Sequence, residues 1–284
     1  MSRIRLWIQI IVTAFTNGYF VGVLKGNIFQ GPSKTVCVPG LNCYSCPGAI
    51  GACPIGALQA VLGSLKYKFS YYVVGILLFF GVVFGRFVCG FLCPFGLVQD
   101  LLYKIPIAKC RKRKNLPGHV VWTKLKYLIL AVFVIILPMT VKDIIGNGTP
   151  WFCKYICPSG TLGAGIPLIS SNPNLQMAIG WLFTWKVLIL CIILLCSVFI
   201  YRPFCKYLCP LGAIYGLCNR ISLIKIEVDD SRCIQCRKCQ NVCKMDISVW
   251  KNPNSSECIR CMDCVSQCPT SALANSFKKK KDKG

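Results

Sequence analysis

Four copies of a cysteine–proline signature are spread along the chain: Cys53-Pro-Ile-Gly-Ala-Leu, Cys93-Pro-Phe-Gly-Leu-Val, Cys157-Pro-Ser-Gly-Thr-Leu and Cys209-Pro-Leu-Gly-Ala-Ile. Three copies carry a second cysteine four residues earlier: Cys89, Cys153 and Cys205. Proline after the cysteine, then glycine, suits a tight turn that points sulfur inward and starts a helix. Each copy lies just after an apolar block or ahead of an amphipathic stretch. Any fold open to this chain must therefore gather sulfur at the ends of apolar segments.

Those segments run over about 6–24, 69–87, 125–141 and 177–201, and 55% of the 284 residues are hydrophobic. Their lengths predict four transmembrane helices. The first block lacks a small-x-small cleavage site and reads as an anchor rather than a removed leader. The third contains Pro138, which blurs its limits. The fourth carries Lys186 beside Trp181 and Trp185; the simpler reading is a side chain snorkelling to the interface, the rival a charge set near a ligand.

The formal charge of +24 would suggest nucleic acid in a soluble protein. Here lysine and arginine lie between apolar blocks, which the positive-inside bias explains better. The N-terminus has 2, residues 86–126 have 9 and residues 202–284 have 15, 26 in all, against 7 in the loops 25–68 and 142–186. Both termini are thus expected in the cytoplasm, in a multi-pass protein of the cell membrane. The basic run Lys109–Lys114 would face anionic lipid, and the tail Lys278–Lys281 lipid or an acidic redox partner. No nucleic-acid partner is expected, because nothing beside the tail is built to stack bases.

The chain has 22 cysteines, most at metal-site rather than cross-link spacing. Many clusters imply a reducing, anaerobic setting. Residues 233–268 read Cys233-x2-Cys236-x2-Cys239-x3-Cys243, then Cys258-x2-Cys261-x2-Cys264-x3-Cys268-Pro269. In this bacterial two-cluster pattern each [4Fe–4S] cluster borrows its fourth thiolate from the other motif. The assignment is Cys233, Cys236, Cys239 and Cys268 for one, and Cys258, Cys261, Cys264 and Cys243 for the other. Zinc has no need of eight interleaved cysteines.

The matching cysteines 93 and 209 lie 116 residues apart, each half running span, outer motif, span, inner motif. Such a duplication folds about a pseudo-two-fold axis. A cysteine pair supplies half the ligands of a cluster, so Cys89, Cys93, Cys205 and Cys209 are expected to share one at the cytoplasmic face. The outer face offers Cys37, Cys43, Cys46, Cys53, Cys153 and Cys157. Repeat logic favours Cys46, Cys53, Cys153 and Cys157, with Cys43 able to replace Cys46 or Cys53. A rival places a cluster on the four N-terminal cysteines and leaves Cys153–Cys157 a redox dithiol. Four clusters result. Cys110, Cys191, Cys196 and Cys218 match no motif and read as non-ligands.

The fold class is therefore an α-helical polytopic membrane protein, internally duplicated (1–224), with a C-terminal α+β ferredoxin domain (225–284). His119 is the only histidine, which disfavours a haem wire. No Walker loop, dinucleotide fingerprint or nucleophile–base pair stands out.

The segments Gly85-Arg86-Phe87-Val88-Cys89-Gly90-Phe91-Leu92-Cys93-Pro94 and Arg202-Pro203-Phe204-Cys205-Lys206-Tyr207-Leu208-Cys209-Pro210-Leu211-Gly212, with the tail, resemble the NapH/NosR/CcoG-type membrane polyferredoxins. The resemblance implies four spans, two C-x3-C-P motifs, cytoplasmic clusters and electron transfer between the quinone pool or a cytoplasmic carrier and an outer redox partner. The outer motifs depart from the common pattern, and no large flavin-binding outer domain is expected from these residues. Electron transfer from a cytoplasmic carrier of ferredoxin or flavodoxin type to an extracytoplasmic acceptor such as a flavoprotein is the expected role. The alternatives are a quinol dehydrogenase subunit and a reductase or assembly factor for a metal centre or disulfide.

Overall fold

The structure is a computed structural model and describes residues 3–64, 71–106, 112–144, 146–177 and 179–276. Cys110, the first half of the basic run and the lysine tail lie outside the described residues.

Two helices, His119–Thr140 and Trp181–Phe199, are long and apolar enough to cross a membrane. Only 22% and 17% of their apolar stretches are buried, so they are not core helices of a soluble bundle. Ile135 and Ile136 on one and Leu188, Ile192 and Leu195 on the other are exposed. That surface suits lipid, because a helix satisfies its backbone hydrogen bonds internally.

The other two apolar blocks form shorter elements. Tyr71–Phe84 is a helix of 14 residues. The block 6–24 is not one helix. Arg3–Thr16 ends where the Asn17 amide turns back to donate to the Thr13 carbonyl and the Thr16 hydroxyl. The chain restarts as Phe20–Lys25, closed by Gly26 at φ 67°.

The third block begins earlier than its apolar core, at His119, and passes through Pro138. Proline lacks an N–H and crowds the carbonyl four residues back. The helix widens to π geometry over Leu130–Ile136 just before it, and does the same over Thr161–Gly165 ahead of Pro167. In both places the wider turn lets the helix continue past the proline.

Two buried charge clusters tie the helices together. Asp100, on the Pro94–Lys104 helix, pairs with Arg5 and Arg202, each at 2.5 Å. Glu257 pairs with Arg86 at 2.9 Å and with Lys126, joining the tail to two membrane-part elements. Burial alone would raise the Glu257 carboxyl pKa, but Arg86 and Lys126 hold it below the ordinary carboxylate value. The tail itself closes with a two-stranded antiparallel sheet, β1 (Ile226–Val228) against β2 (Leu273–Asn275), with Ile226 opposite Asn275.

Candidate cysteine centres

Cys53, Cys93, Cys157 and Cys209 each stand immediately before a helix, with ψ of 127°, 118°, 109° and 112° and proline in the first turn. A residue before proline is pushed to this extended backbone. The sulfurs sit at the positive helix ends, where a thiolate is favoured, and the Gly212 N–H donates to Cys209 Sγ at 3.4 Å.

The inner cysteines come together. Cys89, Cys93, Cys205 and Cys209 are all buried, and every pair of their thiols lies within electrostatic range. Crossed arginines hold the two halves. Arg86 donates to the Cys205 carbonyl at 3.0 Å, and Arg202 donates to the Cys89 carbonyl. The motif glycines leave room for them: a Cβ on Gly96 would sit 3.2 Å from the Arg202 guanidinium, and one on Gly212 3.3 Å from that of Arg86.

Among the outer cysteines, Cys43, the expected alternative to Cys46 or Cys53, stands with the motif cysteines. Cys43, Cys53, Cys153 and Cys157 form the quartet whose thiols all lie within electrostatic range. Cys46 lies within electrostatic range of Cys43 and packs against Ala49 and Ala164. The reason is the path of the loop. Val38 donates to the Ala52 carbonyl and Ala52 to that of Val36, so the strand-like segments 36–38 and 52 run side by side and the loop doubles back. The position four before Cys53 is Ala49, whose carbonyl is occupied by Lys34 Nζ at 2.6 Å. Cys37 lies on the bridge to Ala52, outside the quartet, but lines the same cavity.

That cavity, of about 1090 Å³, also takes in Tyr72, Val73, Lys34 and Lys186. Lys186 lies within electrostatic range of the Cys43 and Cys153 thiols, so the charge is set beside the quartet rather than only snorkelling.

Two glutamines escaped the sequence reading. Gln59 Nε2 donates to Cys153 Sγ at 3.3 Å while its Oε1 accepts from Phe152 N at 3.0 Å. Gln99 does the same with Cys205 Sγ at 3.2 Å and Phe204 N at 3.2 Å. Each stands six residues after its motif cysteine, Cys53 or Cys93. That shared offset was the available signal.

Tyr215 lies between the two quartets. It is fully buried, within electrostatic range of Cys53 on one side and Cys89, Cys93 and Cys209 on the other. Its hydroxyl donates to the Pro39 carbonyl at 2.9 Å, and Leu41 hydrogen-bonds the Cys93 thiol through its backbone. The outer loop therefore dips inward until it touches the inner motif.

In the tail, Cys233, Cys236, Cys239 and Cys268 line one recess. Cys264 lies within electrostatic range of Cys258, Cys261 and Cys243. The backbone repeats with the cysteines. Gln235, Arg237 and Asp246 have positive φ, and so do Arg260, Met262 and Ser271, the same three places in the second motif. The second motif is docked on the membrane part: a Cβ on Gly90 would lie 2.5 Å from the Ile259 carbonyl, and Asn219 donates to the Cys258 carbonyl at 3.0 Å. Among the non-motif cysteines, Cys218 packs against Gly81, Cys191 is exposed and Cys196 half-buried.

Among the described residues no three His, Cys, Asp or Glu side chains converge closely enough for a single metal ion. A cube sets its four thiolates apart at its corners, one per iron. The surroundings fit such a group. Arg86 Nε and Arg260 Nε are buried without a hydrogen-bond partner, Arg86 beside Cys89 and Cys205 and Arg260 beside Cys258. Burial, with Asp263 beside it, pushes the Cys261 thiol up to about 12.

Helices with outward apolar faces, cysteines at helix starts and a duplicated cysteine tail define a ferredoxin-type iron–sulfur protein associated with electron transport. The family model described as 4Fe-4S binding domain matches residues 51–72, 69–117, 125–172 and 181–228, one Cys-Pro motif in each, and the chain belongs to that family. It is 30% identical over 226 residues to an uncharacterized protein of Methanocaldococcus jannaschii, covering 79% of this chain and 84% of that one. It is 29% identical to the ferredoxin-type protein NapH of Haemophilus influenzae, covering 63% of this chain and 54% of NapH. It is 26% identical to the putative electron transport protein YccM of Escherichia coli, covering 67% and 51%. No solved structure matches the chain.

Proposed function

We propose that the chain conducts electrons across the cell membrane, from a cytoplasmic one-electron carrier to an acceptor on the outer face. Four [4Fe–4S] groups would supply the one-electron chemistry, held by Cys233/Cys236/Cys239/Cys268, Cys258/Cys261/Cys264/Cys243, Cys89/Cys93/Cys205/Cys209 and Cys43/Cys53/Cys153/Cys157. Both termini lie in the cytoplasm on this reading, and Arg3–Thr16 and Tyr71–Phe84 complete four spans with the two longer helices.

The observation that carries the proposal is the serial proximity of the quartets. Cys239 and Cys264 lie within electrostatic range of each other across the tail. Arg86 reaches Ser256 and Glu257 on the tail and Cys205 on the inner motif. Tyr215 then spans the inner and outer quartets. A hydrocarbon core of about 30 Å would need such intermediate stations, and the outer loop reaching Tyr215 and Cys93 brings the outer cysteines toward the inner ones. The protein's part is to fix the sulfurs, exclude water and place cations beside them.

The outer cavity favours a second reading, in which a small molecule such as a quinol, rather than a protein, exchanges electrons beside Lys34, Lys186 and Tyr72. Sealed vesicles test the main proposal. With an impermeant oxidant trapped at the outer face and a reduced carrier at the cytoplasmic face, the oxidant is reduced, and Cys93→Ser stops it. Failure of the intact chain to reduce the trapped oxidant overturns the conduit, and a need for added quinone would move the function to the second reading.

A further inference from the structure

The two ends of the tail differ. Cys258 and Cys264 are buried, and Ile259 is packed on Gly90 of the membrane part. At the other end Cys236 is the one exposed cysteine among the eight of the tail. It lies in the recess lined by Cys233, Cys239, Cys268, Ile234 and Trp250.

Arg237 lines that recess with Ile234 and Trp250, and Lys238 follows Arg237 in the chain. The Arg237 guanidinium lies 5.8 Å and the Lys251 ammonium 4.9 Å from the Trp250 ring centre. Arg237, Lys238 and Lys251 are all exposed, and Ile234 is 65% exposed. Arg232 pairs with Asp229 at 3.6 Å, and Asp246 accepts from Asn115. None of the described ion pairs involves Arg237, Lys238 or Lys251. A run of charge is usually a solvated face. This one surrounds an exposed isoleucine and a tryptophan held by two cations, beside the most accessible ligand position of the chain. That combination of steering charge and apolar contact is what a transient electron-transfer encounter uses.

We propose that Arg237, Lys238 and Lys251, around Ile234 and Trp250, form the docking surface for an acidic carrier protein bearing a flavin or an iron–sulfur centre. The inference rests on the conduit reading and fixes where that conduit meets the cytoplasm. A [4Fe–4S] group held by Cys233, Cys236, Cys239 and Cys268 would take the one electron that the carrier gives up, with no bond made or broken and no proton transferred.

The test uses the full chain in nanodiscs of zwitterionic lipid, with a reduced flavodoxin of net negative charge as probe. Stopped-flow oxidation of its flavin and its binding affinity are measured at low and high salt. The triple variant Arg237→Glu, Lys238→Glu, Lys251→Glu should slow the bimolecular step and weaken binding about tenfold or more at low salt. The difference should shrink at high salt, with the EPR spectra of the chain unchanged. Arg220→Glu, an exposed cation just after the Pro210–Cys218 helix, should have a much smaller effect. Equal slowing by Arg220→Glu, or no slowing by the triple variant, overturns the proposal. So does loss of binding to anionic vesicles in the triple variant with flavodoxin kinetics intact, which would assign the three cations to a lipid surface. If flavodoxin is oxidised normally by the unaltered chain but no electron reaches the outer face, the conduit fails and the docking surface stands.

Discussion

Arg86 and Arg202, 116 positions apart, each hold the other half's cysteine: Arg86 donates to the carbonyl of Cys205, and Arg202 to the carbonyl of Cys89. The exchange locks the duplicated motifs face to face, and each guanidinium then turns outward to a different carboxylate. Arg202 meets Asp100 and the N-terminal helix; Arg86 meets Glu257 and the tail. The inner quartet is thus the joint where both halves and the tail meet.

Removing a carboxylate from that joint should be costly. Asp100→Ala leaves the buried Arg202 guanidinium short of its counter-charge, and breaking a buried pair in this way costs roughly 3–5 kcal/mol. The expected result is a lower melting temperature and loss of the inner EPR signal, with the tail signals retained. Thermal unfolding in detergent, followed with EPR, measures both.

Gln59 and Gln99 should tune their centres rather than assemble them. A hydrogen bond to sulfur that strengthens by about 1 kcal/mol on reduction corresponds to about 40 mV in a one-electron couple. Gln99→Leu should therefore lower the potential of the inner centre by that order, and Gln59→Leu that of the outer one. Redox titrations on each variant, with iron content unchanged, check the assignment.

The outer quartet gives a sharp contrast between neighbours. Cys43→Ser should abolish the outer signal, whereas Cys46→Ser should leave it in place, because Cys46 packs against Ala49 and Ala164. EPR on the two variants side by side decides between them.

The distribution of basic residues predicts a sidedness, with both termini inside. In spheroplasts Asn147→Cys should react with an impermeant thiol reagent from outside, and Leu116→Cys only after the membrane is opened. Both side chains are accessible. Labelling of Leu116→Cys in sealed cells would reverse the topology.

The tail and inner cysteines could be grouped from the sequence because they lie at fixed offsets: three and four residues within a motif, 116 between halves. The outer quartet could not. Cys43 rather than Cys46 stands with Cys53, Cys153 and Cys157 where residues 36–38 pair back onto Ala52, a long-range contact that spacing does not encode. Hydropathy marked apolar blocks but not where they break: Asn17 ends the first helix through its own side chain, and the π turn before Pro138 carries the third past its proline. Lys186 was readable as a snorkelling residue because its neighbours are tryptophans; only the fold brings it to Cys43 and Cys153.

The central claim is that the membrane part, and not the tail alone, holds iron–sulfur groups. Iron and acid-labile sulfide per chain, on anaerobically purified protein, test it most directly. Four cysteine quartets predict about sixteen of each, falling by about four in Cys93→Ser. About eight of each, unchanged in Cys93→Ser, would contradict the account and leave a ferredoxin tethered to a membrane anchor.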